Sequence, residues 1–349
     1  IRSGFFRVMV PKRYNGLELD ISAVTDVGRL LGRVCASSGW VIPWLGWHNR
    51  GLAMFPEHVQ EEIFAQGFGL TAGSTTFDGQ ATPCPGGYRV SGRWAWGTAI
   101  LHADFASLGA TVPDQGNRPV TVLARRRDLI LHDVWFTEGM CATGSVDMEL
   151  RDAFVPEDYV LDGVQAMTGK APGQQLNAGP LYRSPTRPLA SLVAAASGIG
   201  VAEGAVANYI DRLGGRVLAY SGGKLSQGEQ SQRIRLASVS ADVTAAALLL
   251  DAAVDITAKS NRGEVKMTIL DRANVRFWTA HAVQMARHAV AEIVAGSGAR
   301  SHFLSDPLQR GMRDLNTLSG HVVFDHDRAA DIHGRVLLGL ELDPASIGV

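Results

Sequence analysis

Gly86-Gly87-Tyr88-Arg89-Val90-Ser91-Gly92-Arg93-Trp94-Ala95-Trp96-Gly97-Thr98 sits between two helical stretches and does not share their period. It reads as a strand entered from a turn, since Thr82-Pro83-Cys84-Pro85 precedes its paired glycines. Phe105 to Val112, Val120 to Ala124 and Val146 to Phe154 continue the β texture, which closes at Val155-Pro156-Glu157. The expectation is a central β-domain over 69–164. Upstream, Val24, Val27, Leu30, Leu31 and Val34 recur at helical spacing and Phe55-Pro56-Glu57 opens another helix, giving an N-terminal helical region over 1–68. Downstream of a Gly/Pro-containing connector the chain is rich in alanine and leucine to Leu340. Val275, Trp278, Ala282, Met285 and Ala289 make one apolar stripe there, as do Leu315, Leu318, Val322, Ala329, Ile332 and Val336 in what reads as one last long helix. Residues 165–349 are thus expected to form a bundle of four helices. The fold class is α+β, mainly α, with the β-domain closed as a barrel.

Composition narrows the partners. The 33 basic and 34 acidic residues balance to a net charge of -1 without long runs of either sign, so no electrostatic footprint for nucleic acid or an anionic membrane is present. A small-molecule partner is favoured. Cys35, Cys84 and Cys141 are odd in number, far apart and lack metal-ligand spacing, which argues against a disulfide framework and a zinc site. No uninterrupted run of eighteen apolar residues and no secretory pattern at the start are seen, so a cytoplasmic protein that does not span a membrane is expected. Dinucleotide-binding, P-loop and nucleophile-elbow motifs are missing from the sequence.

Four places carry residues suited to chemistry. His321 and Asp325 are four apart on the last stripe, one turn of a helix, where a carboxylate can hold an imidazole in one tautomer as a general base. A buried pair that only pins helices is the plainer alternative. His48 ends Trp40-Val41-Ile42-Pro43-Trp44-Leu45-Gly46-Trp47-His48, whose three tryptophans suit either the wall of a pocket for a planar ring or an ordinary core. Trp96-Gly97-Thr98 offers an aromatic face, a close backbone approach and a hydroxyl able to donate to a ring nitrogen, or simply a strand end. Ser74 lies in Thr71-Ala72-Gly73-Ser74-Thr75-Thr76, a polar small-residue strand that lines a site or turns.

The order helical, β, helical, with Val10-Pro11-Lys12-Arg13-Tyr14-Asn15-Gly16-Leu17-Glu18 and the run from Gly139 to Val155, resembles proteins of the acyl-CoA dehydrogenase fold. Gly86 to Trp94, Ser184-Pro185-Thr186-Arg187-Pro188, and Ser319-Gly320-His321 through Gly334-Arg335 resemble its monooxygenase branch, the oxygenase components of 4-hydroxyphenylacetate and steroid-degrading phenol hydroxylases. The resemblance implies reduced flavin (FMNH2 or FADH2) delivered by a separate NAD(P)H:flavin reductase, O2 as co-substrate, and transfer of oxygen from a flavin C4a-hydroperoxide to a small aromatic or secondary-metabolite substrate. The apolar stripes left over on the long helices are expected to be buried in a homotetramer or homodimer. The resemblance also implies His48 and His321 as active-site histidines, Asp325 as the partner of His321, and Ser74 beside the substrate. Trp40 and Trp96 fall near the isoalloxazine, Thr98 near flavin N5, Arg187 beside flavin and substrate, and Arg216 at a flavin phosphate. One departure is Ala99-Ile100-Leu101-His102, where phenol hydroxylases often read Gly-Cys-Asp-His. A flavin dehydrogenase or oxidase of the same fold, and a non-catalytic oligomeric scaffold, are the alternatives.

Overall fold

The computed structural model describes residues 3–167, 170–184, 186–217, 222–223 and 225–342. Helices α1 (Ile21–Gly32), α2 (Ala36–Leu52) and α3 (Glu57–Ile63) precede the strands. The strands are β1 (Thr71–Cys84), β2 (Gly87–Gly97), β3 (Phe105–Val112), β4 (Arg118–Arg125), β5 (Ile130–His132), β6 (Val146–Pro156) and β7 (Val160–Asp162). Three short helices follow, α4 (Gly163–Met167), α5 (Pro172–Leu176) and α6 (Pro180–Arg183). The remainder is α7 (Thr186–Gly215), α8 (Gln230–Asn261), α9 (Ile269–Ser297), α10 (Pro307–Ser319) and α11 (His326–Leu337).

One sheet takes the order β5-β6-β2-β1-β3-β4-β7, antiparallel except for the parallel pair β1 and β3. The expected barrel is closed by packing rather than by hydrogen bonds. Its end strands β5 and β7 do not pair, yet β4 and β6, with three strands between them in the sheet, touch across a core of Val90, Trp94, Leu108, Val122, Met148 and their neighbours. A sheet with the native twist curls until its apolar face is covered. A second core joins α1, α2 and the bundle.

The helices correct the periodicity reading in two places. In α1 the buried face is Ile21, Val24, Thr25, Gly28 and Gly32, while Leu30 and Val34 of the expected stripe face outward. Backbone contact is the reason. A methyl group added at Gly200 or Gly204 of α7 would sit 2.2 Å from the carbonyl oxygen of Arg29 or Arg33, so α1 lies too close for leucine between them. Arg29 and Arg33 then both pair with Glu203. The expected last long helix is two helices, α10 and α11, separated by the segment 320–325. Gly320 ends α10, and Asp325 starts α11 by accepting the Arg328 amide at 3.1 Å, a side-chain N-cap.

Among the described residues two helices reach the length and mean hydropathy of a membrane span, Pro188–Gly215 and Gln230–Asn261, which counting uninterrupted apolar runs does not detect. The α7 window is 78% buried, as a core helix should be, whereas that of α8 is 33% buried and leaves Ile234 and Leu248 exposed.

Candidate active site

Trp40, Trp44 and His48 recur every fourth residue, so α2 presents them on one face. Their rings form a continuous wall: Trp40 to Trp44 is 5.7 Å between centroids, Trp44 to His48 is 5.8 Å, and Trp47 closes on both. His321 joins it edge-on to Trp40 at 5.4 Å. Two histidines from opposite ends of the chain thereby meet one aromatic surface. Trp44, which links them, was expected only as one of three tryptophans suited to a pocket wall; its place in the i, i+4, i+8 series is what puts it between the two histidines.

The two imidazoles are held differently. His48 Nδ1 hydrogen-bonds the Thr71 carbonyl oxygen at the start of β1. That oxygen only accepts, so Nδ1 carries the hydrogen and Nε2 has a free lone pair. A side chain at Gly73 would begin 3.5 Å from Nε2, and glycine there keeps the approach open. His321 Nδ1 accepts from the Val323 amide at 3.3 Å, which puts its hydrogen on Nε2. The pair therefore presents one acceptor and one donor. Burial lowers both from the usual 6.5 to about 4, so both are neutral near pH 7.

Asp325 does not orient His321. Its exposed carboxylate caps α11, and the two residues lie on a turn rather than one helical turn apart. Ser74 lies on β1 with its hydroxyl 2.9 Å from that of Thr76.

At the far end of β2 the backbone is strained around a single hydroxyl. Trp96 (φ 59°) and Ala99 (φ 61°) are left-handed on either side of Thr98, the kind of cost that surrounding structure must maintain. Asp147 holds the Trp96 amide at 3.2 Å, and the indole is 65% exposed. Thr98 Oγ1 is 3.0 Å from Ser145 Oγ, which is 2.8 Å from Thr143 Oγ1. The loop bearing Thr143 is clamped from α10, where Asp314 accepts the Met140 amide at 2.6 Å. Neither Thr143 nor Ser145 was anticipated from sequence.

Arg187 begins α7, and its side chain lies outside the described residues. Arg216 reaches the Gly296 carbonyl at 3.4 Å where α9 ends; among the described residues it shares no hydrogen bond or ring contact with the histidine wall. No cluster of three metal-ligating side chains occurs among the described residues.

Residues 192–326 match the family described as acyl-CoA dehydrogenase, C-terminal domain. A pigment production hydroxylase from a Rhodococcus species is 35% identical over 99% of this chain and 89% of its own length. The oxygenase component of an FADH2-dependent resorcinol hydroxylase from a Rhizobium species is 31% identical, over 97% of this chain and 86% of its own. The crystal structure of 3-HSA hydroxylase from a Rhodococcus species superposes with a TM-score of 0.91 at 29% identity, covering 98% of this chain and 89% of that one. The chain belongs to the oxygenase components of two-component flavin-dependent monooxygenases, built on the acyl-CoA dehydrogenase fold.

Proposed function

We propose that this oxygenase hydroxylates a phenolic ring held against Trp40 and Trp44, with His48 and His321 gripping its oxygen substituent; Trp40, expected beside the isoalloxazine, is reassigned to the substrate because His321 packs edge-on against it. The observation that carries the reading is the shared aromatic wall with two neutral imidazoles of opposite polarity. His48 Nε2 accepts the substrate O–H and His321 Nε2–H donates to the same oxygen or to a neighbouring one. Because burial disfavours the imidazolium, the phenol is hydrogen-bonded in the resting complex. Its proton passes fully to His48 as the ring gives electron density to the incoming oxygen, which directs attack to the carbon ortho to the hydroxyl. Ser74 is assigned to the substrate side because it follows Gly73, which faces His48 Nε2.

The residues at the end of β2 fit a flavin. An indole left 65% exposed on a left-handed backbone, beside a hydroxyl anchored from behind, matches a flat ring with a polar edge. Trp96 would pack on the ring and Thr98 would hold its N5 position. Arg187 and Arg216 are proposed for the flavin's polar groups, Arg216 through a neighbouring subunit. Reduced flavin, when bound, supplies two electrons so that one atom of O2 enters the substrate and the other leaves as water. A separate reductase supplies that flavin. The protein's part is to keep bulk water out of a tryptophan-walled cleft while the histidines handle the proton.

The exposed apolar face of α8 is read as covered by further copies in a homodimer or homotetramer, and the compartment as the cytoplasm. Light scattering on the purified protein tests the assembly. The test of function supplies photoreduced FAD or FMN and O2 together with resorcinol or p-hydroxyphenylacetate, the substrates named for two relatives, without reductase. Stoichiometric ring hydroxylation is expected. Only peroxide from every phenol, or turnover with oxidised flavin and no reductant, would overturn the reading.

A further inference from the structure

Each hydroxyl behind Thr98 carries one hydrogen, and that arithmetic fixes the direction of every bond in the chain. Thr143 Oγ1 lies 2.9 Å from the Met140 carbonyl oxygen, which only accepts, so Thr143 spends its hydrogen there. The 2.8 Å contact between Thr143 and Ser145 is then donated by Ser145. With that hydrogen spent, the 3.0 Å contact to Thr98 is donated by Thr98. Thr143 and Ser145 are each 3% exposed, so water does not substitute for either bond. The base of the chain is fixed in turn: Asp314 accepts the Met140 amide, and Trp135 Nε1 donates to the Met140 carbonyl at 3.0 Å.

We infer that this one-way relay makes Thr98 an acceptor toward the cofactor, and that Thr143 and Ser145 are positioning residues by which the protein selects reduced over oxidised flavin. The inference rests on the reading that Thr98 faces flavin N5. It reverses the polarity expected from the sequence, where the hydroxyl was a donor. Reduced flavin has a hydrogen on N5 and donates to Thr98. Oxidised flavin has a lone pair there, so two acceptors meet. Relief requires Thr98 to abandon Ser145, or the whole relay to turn over and remove a donor from a buried carbonyl.

The test is the dissociation constant of oxidised FMN and of FMN reduced anaerobically with dithionite, for the native protein and for Thr143→Val, Thr143→Ser and Thr98→Val. In Thr143→Val the Ser145 hydrogen loses its acceptor and turns to Thr98, which is then free to donate outward. Oxidised FMN is expected to bind more tightly and reduced FMN more weakly, the ratio shifting roughly tenfold. Thr143→Ser restores the native ratio. A general loosening of the loop would weaken both forms alike, and that result, or a weaker oxidised complex, overturns the inference. If Thr98→Val changes the ratio but Thr143→Val does not, the relay falls and the site reading stands. If Thr98→Val changes neither affinity, Thr98 does not face the flavin and both fall together.

Discussion

His48 and His321 are the same residue type, similarly depressed by burial, yet one is mounted on the middle of a helix and the other on a turn. The helix commits its own carbonyls and amides internally, so His48 must look across to strand β1 for a partner and finds a carbonyl. On the turn, the amides of His321, Phe324 and Asp325 reach backbone carbonyls, and that of Val323 is left to the imidazole. A carbonyl demands a hydrogen from imidazole and an amide supplies one. The mounting thus decides the tautomer, and the tautomer decides which histidine receives a proton and which gives a hydrogen bond.

The sharpest way to break that contrast is to remove each ring. His48→Ala is expected to lower kcat on a phenolic substrate by about a hundredfold or more, since it removes the proton acceptor. His321→Ala should cost closer to tenfold, the worth of one hydrogen bond. Equal losses in steady-state assays with reduced flavin would erase the division of labour.

A smaller effect separates the rings from the rest of the fold by pH. Each histidine stays neutral in the native state down to about 4, whereas the unfolded chain takes up the proton near 6.5. Stability is therefore full above pH 6.5 and falls as pH drops from 6.5 through 4, by about 2 kcal/mol per ring once the ring edges that meet water are allowed for. Urea titrations at pH 7.5 and pH 5 should show this acid loss shrink in His48→Gln and in His321→Asn. An unchanged loss in both would place the acid sensitivity elsewhere.

The smallest effect concerns Asp325. As the cap of α11 it should cost about 1 kcal/mol when replaced by alanine, with kcat unchanged. A fall in kcat comparable to that of His321→Ala would restore the carboxylate–imidazole pair expected from their spacing.

That pair shows where sequence reading stops. Leu315 to Val336 keeps an apolar rhythm through Gly320 and Asp325, and periodicity cannot distinguish one helix from two that bury the same side. The signals of a break were present, a Ser-Gly pair and then an aspartate before a new helix, but the rhythm outweighed them. On α1 the failure was opposite: leucines marked the stripe, while glycines made the contact. The strands around Tyr88, Phe105, Val120 and Val146 were legible because turns and β-branched runs are local. His48 and the tryptophans were legible because α2 is unbroken across them apart from Pro43, which its fold tolerates. The hydroxyl relay was not, since Thr98, Thr143 and Ser145 meet only when β6 pairs with β2.

The backbone contact of α1 with α7 at Gly200 and Gly204 bears on how such a pocket diversifies. Ser197 of α7 also donates to the first carbonyl of α2 at 2.8 Å, pinning the start of the helix that carries Trp40, Trp44 and His48. Drifting a helix outward to admit a larger substrate would break these contacts. Trading side chains along α2 would leave them intact, and Trp40 and Trp44 are the large ones on that face.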